Sequence, residues 1–197
     1  MVSYYLTTVI VILYFFFDIN YFLRLIFTFI WAKFIQKKTK LLDKTTIYSI
    51  CTTQDLDMMS HMNNARYLRE LDFCRYHYFI QTKMFSLLKK MGVTAILGGL
   101  CIRYRRPIKF FMIYKITTKL IYWDEKSFYF EHRFINLQDN FIHTIILSKQ
   151  TTIGMKMSLN EFIKKLEPEI SLPEINSDLR LWLESTKHSS QKFRKKD

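Results

Sequence analysis

The sequence predicts an α+β domain, in which an antiparallel sheet wraps around one long helix, behind an N-terminal membrane-anchor helix. Three observations predict this class. The chain opens with an apolar run, one long helical segment follows in its first half, and four strand-like runs succeed one another in its second half. The 197 residues contain only four glycines and three prolines, which disfavours a disordered or linker-rich protein.

Residues 1–36 form the predicted membrane anchor. The run from Val2 to Tyr21 gives about 20 residues and roughly 30 Å of helix, which is enough to cross a bilayer. No Lys or Arg precedes the run and no small-residue cleavage pattern follows it. We therefore expect an uncleaved anchor; cleavage would leave a secreted protein. Phe22 to Ile35 is also apolar, and either lies in the membrane interface or extends the span with tilt.

Lysines follow the apolar run and none precedes it. They are frequent from Lys33 to Lys44, and the positive-inside rule places that side of the membrane in the cytosol. We expect one anchor, with the rest of the chain facing the cytosol.

Residues 37–157 carry the predicted α+β domain. Thr46 to Thr52 predicts a first strand, Asn64 to about Thr82 predicts the long helix, and Met84 to Met91 predicts a short helix that Gly92 can terminate. Alternation of apolar and polar residues then predicts four further strands, at Val93 to Arg103, Phe110 to Trp123, Ser127 to Asn136 and Phe141 to Thr152.

The sequence of residues 158–197 predicts a helical extension and a basic tail. Two short helices are expected, at Ser158 to Leu166 and Asp178 to Ser185, with proline turns between them. The tail from Lys192 to Lys196 is basic and is expected to be mobile.

The formal net charge of +13 calls for an anionic partner. Nucleic acid is disfavoured, because the basic residues are not gathered on one helix and no zinc finger or aromatic RNA-binding motif is present. An anionic membrane leaflet explains the lysine-rich segment and the basic tail more simply. The three cysteines lack metal-binding spacing and are expected to be buried and reduced. The five histidines are scattered, so we expect no metal and no cofactor.

The segment from Asp55 to Leu68 is the one place where the sequence indicates chemistry. Two acids, a histidine and an Asn-Asn pair stand at the start of the long helix, and together they offer a base and free backbone donors. The same residue types are also ordinary turn and capping residues, and both interpretations stay open on local grounds.

The spacing in this segment resembles that of the hotdog-fold thioesterases. Their acyl-CoA and acyl-carrier-protein branches carry D-x-D-x-x-x-H-x-N-N-x-x-Y-L. Those positions are filled here by Asp55, Asp57, His61, Asn63, Asn64, Tyr67 and Leu68. Further along the helix, Asp72, Cys74 and Arg75 match positions where such enzymes have an acid, a small residue and an arginine. The resemblance implies a hotdog fold and an activity like that of acyl-CoA or 4-hydroxybenzoyl-CoA thioesterases.

A narrower resemblance, to one group of animal proteins within this superfamily, covers most of the chain from the anchor to about Gly154. It is carried by residues 18–24, 61–69, 101–106 and 123–129. This resemblance implies a protein of the endoplasmic-reticulum membrane that is linked to lipid handling.

The superfamily resemblance also implies roles for individual residues. Asp57 takes the position of the catalytic carboxylate, as nucleophile or general base, and His61 that of a residue that orients or activates water. A loop or capping histidine is the alternative for His61. Backbone N–H groups from His61 to Asn64 are the expected oxyanion donors, and Asn63 and Asn64 are expected at the substrate.

Three arginines, Arg103, Arg105 and Arg106, are candidates for a clamp on the phosphates of coenzyme A, since guanidinium groups pair well with phosphate oxygens. Their alternative is a solvated strand end near a lipid surface. We expect a homodimer that binds an acyl-CoA or a related acyl thioester and membrane lipid.

Three positions depart from the thioesterase pattern. Met59 stands where the plant-type pattern has asparagine, and Ser60 stands where the bacterial branch prefers glycine. The family's downstream helper residue would fall near Thr94, where no carboxylate occurs. Two functions therefore stay open: an acyl-CoA thioesterase, and a non-catalytic lipid-binding or interaction module.

Overall fold

The computed structural model describes residues 1–192. The basic tail predicted from the sequence lies outside the described residues beyond Lys192. Five strands are present: β1 (Thr45–Ile50), β2 (Thr94–Tyr104), β3 (Ile113–Trp123), β4 (Ser127–Asn136) and β5 (Ile142–Ile153). Six α-helices accompany them: α1 (Val2–Phe16), α2 (Ile19–Ile30), α3 (Asn64–Gln81), α4 (Met84–Lys90), α5 (Leu159–Leu166) and α6 (Ser177–Lys192).

The strands form one antiparallel sheet in the order β1-β3-β4-β5-β2, so β1 and β2 are its edges. Strands β3 and β4 are joined by a hairpin turn, in which the Asp124 carboxylate accepts hydrogen bonds from the N–H groups of Lys126 and Ser127. The α+β prediction is confirmed.

Helix α3 lies against the inner face of this sheet and supplies much of the core. Asn63 caps its first turn by accepting a hydrogen bond from the N–H of Ala65 at 2.9 Å. One buried cluster groups Tyr67, Leu71 and Cys74 of α3 with Phe134 of β4. A second cluster places Tyr78 and Phe79 beside Phe128 and Phe130 of β4, and α5 closes it with Phe162. Burial of this aromatic mass fixes the helix on the sheet.

Two predicted boundaries in the folded domain differ from those in the structure. Strand β3 begins at Ile113 rather than Phe110, because the preceding residues form a turn in which Phe111 has a φ of 58°. Helix α6 extends to Lys192 rather than ending at Ser185. It packs on the outer face of the sheet, where Leu179 is buried and Trp182 meets the ring of Tyr129.

The expectation that all three cysteines are buried is wrong for one of them. Cys51 and Cys74 are buried, whereas Cys101 is exposed on β2, and all three are free thiols. Its neighbours on β2, Leu100 and Ile102, pack against the core, so Cys101 faces the outer side of the sheet.

The N-terminal run does not form one continuous helix. Asp18 ends the first segment and begins the next, because its carboxylate accepts a hydrogen bond from the N–H of Tyr21 at 3.1 Å. The segments Ser3–Tyr14 and Ile19–Ile35 meet at an angle of 80°. Among the described residues, no single helix is long and apolar enough to cross a membrane, although this bent pair meets that test together.

Helix α2 is fixed to α3 by polar contacts. Arg24 forms two hydrogen bonds with the Glu70 carboxylate, at 2.7 and 2.9 Å, and its guanidinium lies 4.3 Å from the centre of the Phe73 ring. Asp18 pairs with Arg69, and the hydroxyl of Tyr21 donates to Asp72. Glu70 is only 2% exposed, so this interface holds a buried carboxylate that needs its counter-charge.

A buried histidine predicts that the domain loses stability in mild acid. His132 is fully buried on β4, and its ring nitrogens lie 2.9 Å from the hydroxyl of Thr118 and 3.0 Å from that of Ser148. Burial, assisted by the charge of Arg75, lowers the pKa of His132 to about 3. The imidazole is therefore neutral in the folded state, whereas the unfolded chain takes up a proton below pH ~6.5.

The unfolded state binds the extra proton between pH ~6.5 and the folded pKa, so the free energy of unfolding falls as the pH falls through that window. His132 should contribute about 1 kcal/mol per pH unit. We expect His132→Gln to reduce this slope by that amount in urea unfolding at pH 7, 6 and 5. An unchanged slope would show that His132 is not the group that titrates.

Candidate functional site

The signature segment folds as a tight loop between β1 and α3, and its two acids have different surroundings. Asp55 is 7% exposed, and its carboxylate accepts hydrogen bonds from the N–H and the hydroxyl of Thr52, both at 2.9 Å. Arg66 lies 3.9 Å from its other oxygen. Asp55 is thus a capping residue that holds the loop together.

Asp57 is partly exposed and lies beside His61. One of its oxygens accepts a hydrogen bond from the N–H of Met59 at 2.9 Å, and the other lies 3.3 Å from Nδ1 of His61. Both side chains keep about a quarter of their surface exposed, at 24% and 28%. The structure therefore brings the two predicted catalytic side chains together on the surface of the loop.

The loop reverses between these two side chains at Ser60. The φ of Ser60 is 59°, in the left-handed region, and its N–H donates to the carbonyl of Asp57 at 3.1 Å. A residue without a Cβ adopts this conformation at least cost. This backbone geometry gives a physical reason for the glycine that the bacterial branch prefers at this position.

Two of the four expected oxyanion donors are already used by the fold. The N–H of Met62 donates to the carbonyl of Ile108, and that of Asn63 donates to the carbonyl of Asp55, both at 2.8 Å. The N–H groups of His61 and Asn64 have no hydrogen-bond partner within the described part of the chain. Because Asn64 is the first residue of α3, its N–H also lies at the positive end of the helix dipole.

A cleft of about 290 Å³, which we call the loop cleft, opens beside His61. One wall is the signature loop with the start of α3, and the other is the chain that leaves β2. Its lining residues are His61, Met62, Asn64, Tyr67, Tyr104, Arg105, Arg106 and Pro107.

Arg105 and Arg106 are held in the wall of the loop cleft by an aromatic ring. Their guanidinium carbons lie 4.6 and 3.7 Å from the centre of the Phe141 ring, and Arg105 also donates to the carbonyl of Ile142 at 3.0 Å. No carboxylate is paired with either arginine among residues 1–192. Both charges remain available for an anion.

Three predicted site residues lie away from the loop cleft. Arg103 is exposed on β2, next to Tyr104, and neighbouring side chains of a strand face opposite sides of the sheet. Asn63 serves as the cap of α3. Thr94 begins β2, ten residues before Tyr104, which is roughly 30 Å of strand. Within one chain, Thr94 therefore cannot help Asp57.

Thr94 instead lines a second cavity, of about 570 Å³, between α3, α4 and the first half of β2. We call it the helix cavity. The sequence did not predict it, because its walls come from segments far apart in the chain. Sequence reasoning also missed Phe141, which only the pairing of strands brings to the arginines. Among residues 1–192, no group of three or more His, Cys, Asp or Glu side chains could hold a metal ion.

Comparisons with known proteins agree with this geometry. The family model of the thioesterase-like superfamily matches residues 51–183. Protein THEM6 of Drosophila melanogaster is 44% identical over 188 residues, which cover 95% of this chain and 96% of the fly protein. The chain belongs to the THEM6 family of the thioesterase-like superfamily.

Solved structures show the fold of this THEM6-family chain to be the hotdog fold of thioesterases. The crystal structure of YbaW, a probable thioesterase from Escherichia coli, covers 62% of this chain and 94% of its own, with 22% identity and a TM-score of 0.56. SAV2348 from Staphylococcus aureus, solved in complex with CoA, covers 70% of this chain and 94% of its own, with 14% identity and a TM-score of 0.52. The sequence-based prediction of the family is confirmed.

Proposed function

We propose that this protein hydrolyses fatty acyl-CoA thioesters in the loop cleft. One observation carries the proposal: His61, whose Nδ1 lies 3.3 Å from the carboxylate of Asp57, lines a cleft whose opposite wall presents two arginines without carboxylate partners. A base and a cationic clamp across one cleft are what a negatively charged thioester substrate requires.

The proposed roles follow from the positions of these residues. Asp57 takes a proton from water, whose hydroxide adds to the thioester carbon, or its carboxylate adds to that carbon directly. Negative charge develops on the carbonyl oxygen during this addition, and the free N–H groups of His61 and Asn64 are the donors proposed to receive it. The tetrahedral intermediate then collapses and expels the thiolate of coenzyme A, which takes up the proton; after direct attack, water cleaves the mixed anhydride and releases the fatty acid. His61, beside the carboxylate, orients the attacking water.

Arg105 and Arg106 would bind the phosphates of coenzyme A. The CoA complex of SAV2348 supports this choice of ligand, since that protein shares the fold. Stacking on Phe141 orients both guanidinium groups and lowers the entropy that they lose on binding.

The test is the release of free thiol from a panel of acyl-CoA chain lengths by the purified full chain. We expect turnover that saturates with substrate and weakens when Arg105 and Arg106 are both replaced by methionine. Saturable binding of acyl-CoA without thiol release would instead support the second function predicted from the sequence, a non-catalytic lipid-binding or interaction module.

We also infer a homodimer formed through β2. This strand is a free edge of the sheet with glycines at positions 98 and 99, and antiparallel pairing of two copies about Gly99 would set Thr94 of one opposite Tyr104 of the other. Thr94 would then lie near the loop cleft of the second copy.

We expect light scattering to report a dimer, and we expect Gly99→Pro to weaken that dimer. A monomeric protein with full turnover would contradict the inferred dimer.

The N-terminal helices are the proposed attachment to the endoplasmic-reticulum membrane. Large apolar side chains of α2 are exposed, as are those along α1. Those of α2 are Phe22, Leu23, Ile26, Phe27 and Ile30. With lysines after them, we expect the domain to face the cytosol. A glycan on an acceptor site engineered after Lys192 would place that end in the lumen and contradict this topology.

A further inference from the structure

The helix cavity has an apolar interior and an open rim. Its deepest side chains, Phe79, Leu88 and Val93, are less than a tenth exposed, whereas Ile96 and Leu97 at the rim are 45% and 40% exposed. Its volume of about 570 Å³ lies within the range of small-molecule sites. An aliphatic chain is the kind of ligand that this lining would bury.

Two hydrogen-bond donors in the walls of this cavity have no partner. Gln150 of β5 is 1% exposed and its Nε2 is unbonded. Arg75 of α3 pairs with Asp72 through Nη2, but its Nη1 is buried and unbonded. Buried polar groups are almost always bonded, and leaving one unpaired costs about 1–3 kcal/mol. Two such donors, one from α3 and one from β5, among the residues that line one cavity indicate a missing acceptor.

The charge of the lining indicates what that acceptor is. Arg75 and Lys89 line the cavity, and no Asp or Glu of residues 1–192 joins them there. A neutral oxygen would bond to the two donors, but an anionic oxygen also gains from the charge of Lys89 and from a charge-assisted hydrogen bond to Arg75, whose own charge is partly balanced by Asp72. The lining thus favours a carboxylate over a hydroxyl or a carbonyl group.

We propose that the helix cavity binds the carboxylate end of a fatty chain, with Arg75 and Gln150 as its hydrogen-bond donors. Two kinds of ligand have a fatty chain that ends in a carboxylate. One is a free fatty acid. The other is the far end of a dicarboxylic acyl-CoA held in the loop cleft of a second copy, and this ligand rests on the proposed function and on the β2 dimer.

The experiment measures binding to the full chain in lipid nanodiscs, with empty discs subtracted. Palmitate is compared with methyl palmitate, and the mono-CoA thioester of hexadecanedioic acid with palmitoyl-CoA. Charge-assisted hydrogen bonds predict that the carboxylate member of at least one pair binds about 10-fold more tightly. A preference only in the first pair identifies the free acid as the ligand, and one only in the second pair identifies the acyl-CoA.

Arg75→Met and Gln150→Met each remove one donor and should each reduce the preference, and the double variant should abolish it. Arg133→Met is the matched control, because Arg133 pairs with Glu131 on the other face of β4 and should leave the preference intact. If Arg75→Met does not fold, Gln150→Met decides alone, since Gln150 has no ionic partner to lose.

Equal affinities within both pairs, or a preference that survives the loss of the donors, would overturn the proposal. Because the readout is binding without turnover, absence of thiol release would defeat the hydrolase function and leave a palmitate preference standing. Turnover without any carboxylate preference would support the hydrolase function and defeat the proposal for the helix cavity.

Discussion

Replacing Asp57 by asparagine should lower thioester hydrolysis by about 10²-fold or more while acyl-CoA affinity barely changes. The amide oxygen of asparagine can still accept the hydrogen bond from the N–H of Met59, so the loop keeps its shape. What disappears is the charge 3.3 Å from Nδ1 of His61, and with it the base or nucleophile. The measurement is kcat and KM for thiol release, with a separate measurement of acyl-CoA binding.

Asp55→Asn is the matched control, because the same change is made two residues away. Asp55 holds Thr52 and is buried away from the cleft, so its loss of charge should lower stability and leave turnover within a few-fold of wild type. If both variants hydrolyse acyl-CoA at the wild-type rate, the carboxylate of Asp57 is only a turn residue.

Arg24→Met should destabilise the attachment of α2 by about 3 kcal/mol, because it leaves the buried carboxylate of Glu70 without a counter-charge. The double variant with Glu70→Met should recover most of that loss, since it removes the buried charge together with its partner. Urea unfolding of the detergent-solubilised chain and hydrogen exchange of α2 measure the two effects.

The exposed pair Arg133 and Glu131 provides the comparison. Arg133 is 44% exposed, so Arg133→Met should change the free energy of unfolding by less than about 1 kcal/mol. Equal losses for Arg24→Met and Arg133→Met would mean that the Arg24–Glu70 pair is no more than a surface contact.

Local patterns in the sequence predicted the sheet and the signature loop well. The strands that were predicted from alternating apolar and polar residues begin and end within three residues of their predicted bounds. This pattern is reliable because it shows directly which face of a strand is buried. The pair Asp57 and His61 was also predicted, because both residues lie in one short loop whose geometry depends on near neighbours.

Features that depend on distant contacts could not be predicted in this way. The break at Asp18 is set by a capping hydrogen bond inside a run whose composition alone favours one long helix. Thr94 was placed with the catalytic residues by its distance along the sequence, but β2 carries it to the far end of the sheet. The helix cavity and its unpaired donors exist only where α3 meets β5 and β2.

The most direct test of the central claim is the structure of the full chain with an acyl-CoA analogue in which a methylene group replaces the thioester sulfur. We expect the ketone oxygen to lie about 3 Å from the N–H groups of His61 and Asn64. We also expect the ketone carbon to face Asp57 and the phosphates to contact Arg105 and Arg106. An analogue bound elsewhere, with the loop cleft empty, would show that the loop cleft is not the thioesterase site.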